Sequence, residues 1–132
     1  FQDSDWKAII AAGENRPVNA TDRARFSLAY FNTSRPWGIL TYSFQGRVKT
    51  AQGNRRLSLN LISTSTTTVS VSANTAVIVG TGRMGGSSCF FTATLSDASP
   101  DTFAMVITDS RGKLVFSSSH APLIRGRIDI RR

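Results

Sequence analysis

Residues Cys89–Asp109 read CFFTATLSDASPDTFAMVITD. In the first half Cys89, Phe91, Ala93 and Leu95 alternate with Phe90, Thr92, Thr94 and Ser96. In the second, Phe103, Met105 and Ile107 alternate with Thr102, Ala104, Val106 and Thr108. A pleated strand sends successive side chains to opposite faces, so a period of two predicts two strands, each with one buried face. Asp97-Ala98-Ser99-Pro100-Asp101 breaks them, because proline cannot continue a ladder and Asp and Ser bond their own backbone in turns. Asp109-Ser110-Arg111-Gly112 predicts a second turn, with glycine where the chain takes a positive φ. The result is an antiparallel meander of three strands ending near Ser118.

The same alternation extends outward on both sides. Ala24, Phe26, Leu28 and Tyr30 share a face, and Asn32–Pro36 turns the chain. In the next strand Leu40, Tyr42 and Phe44 oppose Trp37, Ile39 and Thr41. Gln45-Gly46 reads as a tight turn, followed by strands over 47–50 and 57–62 with a loop between them. Thr66–Ser72 and Thr75–Thr81 form a hairpin over Ala73-Asn74, where Asn tolerates the left-handed conformation. The Ser- and Thr-rich run 63–72 reads as a strand edge. A last strand runs from Arg125 to Ile130, with Ile128 and Ile130 inward. Nine to ten short strands with turns every 8–12 residues predict an all-β fold, an antiparallel β-sandwich. Leu59, Phe91, Phe103 and Ile107 are the expected core.

Residues 1–22 differ from the rest. Two readings fit Asp5–Ala12: a short helix capped by Ser4 and stopped by Gly13, or a strand apolar on both faces. The all-β surroundings favour the strand. The division expected is an N-terminal extension over 1–22 and a β-sandwich domain over 23–132. Trp6, Ile9 and Ile10 are the candidate subunit contacts of that extension, which would be exchanged with a neighbour by adding a strand to its sheet. Repeated head to tail, the exchange builds a filament. Folding back on its own domain is the alternative.

A chain of 132 residues suits one domain, and its hydrophobic content of 40% can close a core. No apolar run is long enough to span a membrane as a helix. No basic segment followed by an apolar stretch opens the chain, so no signal peptide is expected in it. The formal charge is +8, and arginine supplies most of it, since only Lys7, Lys49 and Lys113 are lysines. Such a surface attracts polyanions, acidic polysaccharide among them. The arginines are scattered, clustering only at Arg55-Arg56, Arg125/Arg127 and Arg131-Arg132, and no RNA-binding aromatic motif accompanies them. Specific nucleic-acid binding is therefore not expected. The one cysteine, Cys89, lies on the inward face of its strand, where a thiol behaves as a small inert hydrophobe.

The series ARFSL at 24–28, GILTY at 38–42, GTG at 80–82, FTATLSD at 91–97, DTFAMVI at 101–107 and GRIDI at 126–130 resembles, in that order, the post-COAP-1 domain. This is a small β-rich module of secreted bacterial proteins. The resemblance covers about Ala24–Ile130 and leaves residues 1–22 outside. It implies an extracellular or cell-surface, non-enzymatic accessory or structural domain, with no catalytic residues to carry over.

Catalytic chemistry finds little footing. A Ser/His/acid triad would have to use His120, in a loop beside Pro122, and no nucleophile elbow is present. Asp97, Asp101 and Asp109 could offer oxygens to calcium, but their spacing matches no calcium loop and turn formation is the simpler role. No cofactor motif and no metal-ligand set occurs. Asn19-Ala20-Thr21 and Asn32-Thr33-Ser34 fit the glycosylation pattern, which makes Asn19 and Asn32 candidate acceptors. Trp6, Tyr30, Trp37 and Tyr42 form either a sugar-stacking platform or core. The sequence reading is thus a non-catalytic structural or adhesive module, self-assembling into a fibre or surface layer through its N-terminal segment. A secreted carbohydrate-binding module is the alternative, and a hydrolase using surface carboxylates stands third.

Overall fold

The computed structural model describes residues 6–18, 20–118 and 120–132. The described chain is all-β, with ten antiparallel strands: β1 Ala8–Asn15, β2 Ala24–Phe31, β3 Trp37–Thr50, β4 Gly53–Ser72, β5 Thr75–Met84, β6 Ser87–Ser96, β7 Thr102–Asp109, β8 Leu114–Ser117, β9 Ala121–Pro122 and β10 Arg125–Arg131. They form one sheet in the order β10-β1-β2-β3-β4-β5-β6-β7-β8, and β9 pairs with β7. No described residue is helical, so no helix is long and apolar enough to cross a membrane.

The sheet folds over at β4, the longest strand. Its register with β5 slips between Ser63 and Ser65 and again between Thr66 and Thr68. Each bulge adds one residue and bends the strand. Two slips together restore the parity, so Leu59 and Leu61 before the corner and Val69 and Val71 after it are all buried. The run expected as a strand edge is this interior corner. Small residues build it: a Cβ on Gly80 would meet the Ser65 carbonyl and the Phe91 ring, and one on Gly82 the Ile62 carbonyl. The two halves of the sheet then face each other across one core. Phe26 of β2 stacks on Phe103 of β7 at 3.9 Å between ring centroids. Tyr42 reaches both Phe103 and Phe116, each at 5.9 Å, and Phe44 lies 5.5 Å from Phe116. The four residues expected in the core are all buried.

Three local expectations are corrected. Gln45-Gly46 is not a turn, because β3 runs through it; Gly46 is buried and the Asp22 side chain occupies the space a Cβ would need. In the β4–β5 hairpin the positive φ, 53°, falls on Ala73 rather than Asn74. The third correction concerns the extension. β1 is the strand favoured over the helix, and it takes the fold-back alternative, lying inside the chain's own sheet paired to β10 on one side and β2 on the other. Trp6 and Ile9, expected as subunit contacts, are buried in the chain's own core. Ile10 points outward, half-buried beside Ala29. Residues 8–15 therefore share one core with the segment after 23. Ladder partners Gly13 and Gly126 bring β1 and β10 close; a Cβ on Gly126, at φ 101°, would strike the Ala12 carbonyl.

Candidate functional site

An open groove of about 1200 Å³ lies over the middle of β3, between the segment 14–25 and residues 121–125. Arg16, Arg23, Arg25 and Arg125 line it, together with Ser43, Gln45, Ser58 and Asn60. Local structure sets each wall. Arg25 is the outward ladder partner of Glu14 and Ser43, and Arg125 pairs with Glu14 from the other side. The segment before β2 is pinned to β3: Ala20 bridges Val48, Thr21 N donates to the Arg47 carbonyl at 2.9 Å, and Arg47 N donates to Thr21 Oγ1 at 3.1 Å. Asp22 seats over Gly46 and accepts from Thr21 Oγ1 at 3.2 Å.

The groove is cationic. Glu14 is largely covered and holds Arg25 at 2.7 Å and Arg23 at 3.6 Å. Arg16 and Arg125 carry no ion pair among the described residues. A second cleft of about 350 Å³ adjoins it, sharing Thr21, Asp22 and Gln45 and adding Arg47 and Arg56. Those two arginines sit directly opposite each other in the β3–β4 ladder. Like charges so placed repel, a cost that an anion between them would remove. Across both clefts six guanidiniums face two carboxylates, Glu14 and Asp22. Two of the sequence clusters contribute one member each, Arg56 without Arg55 and Arg125 without Arg127.

The remaining candidates are placed elsewhere. Asp101 accepts from Ala98 N at 3.0 Å and Ile128 N at 2.8 Å, and Asp97 accepts from Ile130 N at 3.1 Å. Asp109 accepts from Arg111 N and Lys113 N, both at 2.9 Å, and these bonds, with the positive side chains nearby, hold its carboxyl below the ordinary range. The three carboxylates serve backbone, and no cluster of three or more His, Cys, Asp or Glu that could hold a metal ion occurs among the described residues. His120 is exposed, with Nδ1 3.4 Å from Thr102 Oγ1. Cys89 is buried; burial pushes its thiol up, tempered by the Gly82 backbone.

Asn32 Nδ2, the atom a glycan would take, donates to the Trp6 carbonyl at 3.0 Å. Asn19 lies outside the described residues. Of the four stacking candidates Trp6, Tyr30 and Tyr42 are core, and Trp37 is exposed at 56%. Its ring leans on Phe31, 4.9 Å between centroids. One polar residue escaped the sequence reading. Asn15 is buried, and its Nδ2 donates to the carbonyls of Phe103 at 2.9 Å and Ala121 at 3.1 Å, tying β1 to β7 and β9. No sequence signal marks it beyond a polar residue at an inward position.

No protein-family model matches this chain, and neither a curated protein nor a solved structure matches it.

Proposed function

We propose that this chain is a non-catalytic, extracellular adhesive module that holds an acidic polymer in the arginine-lined groove. The observation that carries the reading is convergence: Arg16, Arg23, Arg25, Arg47, Arg56 and Arg125, scattered through the sequence, meet around one pair of joined clefts. Guanidiniums bind carboxylate and sulfate through paired hydrogen bonds, and several weak contacts along one polymer add up. Of the carboxylates a hydrolase could use, Asp97, Asp101 and Asp109 are engaged by backbone N–H groups, and in the clefts Glu14 is held by Arg23 and Arg25 while Asp22 seats over Gly46. An adhesive module also agrees with what the likeness to the post-COAP-1 domain implies. Assembly by exchange of the N-terminal segment is not part of the proposal, because β1 is an inner strand.

The test is titration with polygalacturonate, with dextran as the uncharged control. Binding is expected for the acid polymer alone and should fade as salt rises, because about 1 M salt shortens the Debye length to roughly 3 Å. Arg16→Gln with Arg125→Gln should weaken it roughly three- to tenfold, the effect of two exposed charges. Equal binding by that double variant and the parent would refute the groove.

A further inference from the structure

We infer that Trp37 is a stacking subsite for a sugar ring, so that the polymer in the groove is an acidic polysaccharide lying along the outer face of β3. The inference rests on the groove reading above and deepens it. Along β3 the residues Trp37, Ile39, Thr41, Ser43, Gln45 and Arg47 point outward, alternating with the inward Leu40, Tyr42 and Phe44. Ser43 and Gln45 line the groove, so the strand that carries Trp37 at one end enters the cationic cleft at the other. From Ser43 to Trp37 is six residues, roughly 20 Å at the rise of an extended strand.

The surface between the two ends has a definite character. Thr41 and Ser43 are only half-exposed, flanked by the exposed ladder partners Ser27 and Ile62 and by Arg25 and Asn60. The exposed Ile39 separates Trp37 from a shallow trough at Thr41 and Ser43, which is flanked by Ile62 and Arg25 and otherwise lined by hydroxyl and amide groups. Pyranose hydroxyls pair with such groups, pyranose ring faces lie flat on indole, and uronate or sulfate groups pair with arginine. Trp37 is already positioned for that use. Its ring rests against Phe31, which limits the rotamer freedom a ligand would otherwise have to freeze. An exposed tryptophan alone would mean little; its alignment with the groove on one strand is what specifies the ligand. A single-stranded nucleic acid fits less well. It carries a charge at each nucleotide and stacks its bases among basic residues, whereas the outward residues of β3 between Trp37 and Gln45 are uncharged.

The test uses oligogalacturonides of graded length, the full chain, and the variants Trp37→Ala and Trp37→Phe. Trp6 is buried, so Trp37 dominates acrylamide quenching of the native emission. Long oligomers are expected to protect Trp37, and short ones to bind without protecting it. Trp37→Ala should weaken the long oligomers roughly two- to tenfold, as an aromatic contact of ordinary strength does. The salt dependence should stay unchanged, and Trp37→Phe should restore part of the loss. If long oligomers bind, depend on Arg16 and Arg125, and leave Trp37 unprotected, the stacking subsite is wrong and the groove stands. If the arginine variants bind as the parent does, the groove fails whatever Trp37 does. Equal protection of Trp37 by an oligothymidylate would overturn the assignment to polysaccharide.

Discussion

Phe90 and Phe91 are chemically identical neighbours on opposite faces of β6, and truncating each to Ala measures the register of the whole second half. Phe91 is 1% exposed and Phe90 is 47% exposed. Phe91 pairs with Gly80 on β5 and Ile107 on β7, and its ring edge covers Gly80, with Cζ 3.0 Å from where a Cβ would stand. Glycine has no side chain to move into the hole, so Phe91→Ala leaves a cavity that closes poorly. The expected loss is about 3–5 kcal/mol, towards the upper end. That is a large share of the roughly 5–15 kcal/mol that holds a domain folded. For 132 residues, with an unfolding entropy of about 2 cal/mol/K per residue, it lowers Tm by roughly 11–18 °C. Phe90 stands between Thr81 and Thr108 on the outer face, and Phe90→Ala should cost no more than about 0.5–1 kcal/mol. Thermal melts followed by circular dichroism, with urea midpoints as a second measure, separate the two. Equal losses, or a larger loss at Phe90, would show β6 displaced by one residue, because a slip of one exchanges its two faces.

Three further outcomes follow from single groups. Burial pushes the phenol of Tyr42 up from 10.0, and its hydroxyl lacks a bonding partner, although Ser118 is near enough to temper the rise. The folded chain keeps this proton when the unfolded chain would lose it, so its contribution is intact below about pH 10 and is lost as pH rises through the folded value; Tyr42→Phe should be no less stable at neutral pH, and its urea midpoint should fall less between pH 9 and 11. Asp101→Ala leaves Ile128 N without its acceptor, at a cost of about 1–3 kcal/mol, read as faster hydrogen exchange at that amide. Ala73→Gly relieves the left-handed backbone at φ 53° and should raise stability by about 1 kcal/mol, seen as a higher urea midpoint with unchanged slope.

The strand hairpins were legible because each is local: alternation placed Cys89, Phe91 and Phe103 inside, and Asp97–Asp101 and Asp109–Gly112 are the turns expected. The errors came where a residue answers to something distant in sequence. Gly46 reads as a turn, yet it is small because Asp22 rests on it. The Ser/Thr run in β4 reads as an edge, yet it is polar and small because the sheet bends there and Thr66 Oγ1 donates to Tyr30 Oη at 3.2 Å. The groove was illegible for the same reason. Arg16 and Arg125 meet only because β10 pairs with β1, a contact between the two ends of the chain. Parity alone did separate Trp37 from Leu40, Tyr42 and Phe44, so its exposure was readable where its partners were not.

The placement of β1 also bears on self-assembly. An exchanged N-terminal strand would have to leave two ladders and withdraw Trp6 and Ile9 from the core, where both are at most 1% exposed. Burying a side chain of this size is worth roughly 1.5–3 kcal/mol, and the lost ladder bonds add to that. Exchange therefore requires β1 to leave its own sheet first, and it recovers these contacts only on reaching a neighbour's. Addition of a strand to the native sheet would need an open edge, and the β10 edge is already guarded. Its outward-facing N–H groups at Ile128 and Ile130 are taken by the carboxylates of Asp101 and Asp97, and charged side chains on an edge disfavour pairing with another chain. The β8 edge is short, four residues from Leu114 to Ser117. On the function proposed above, a module whose edges are guarded in this way would adhere through the faces of its sheet, and the outer face of β3 carries both arginine and an exposed tryptophan.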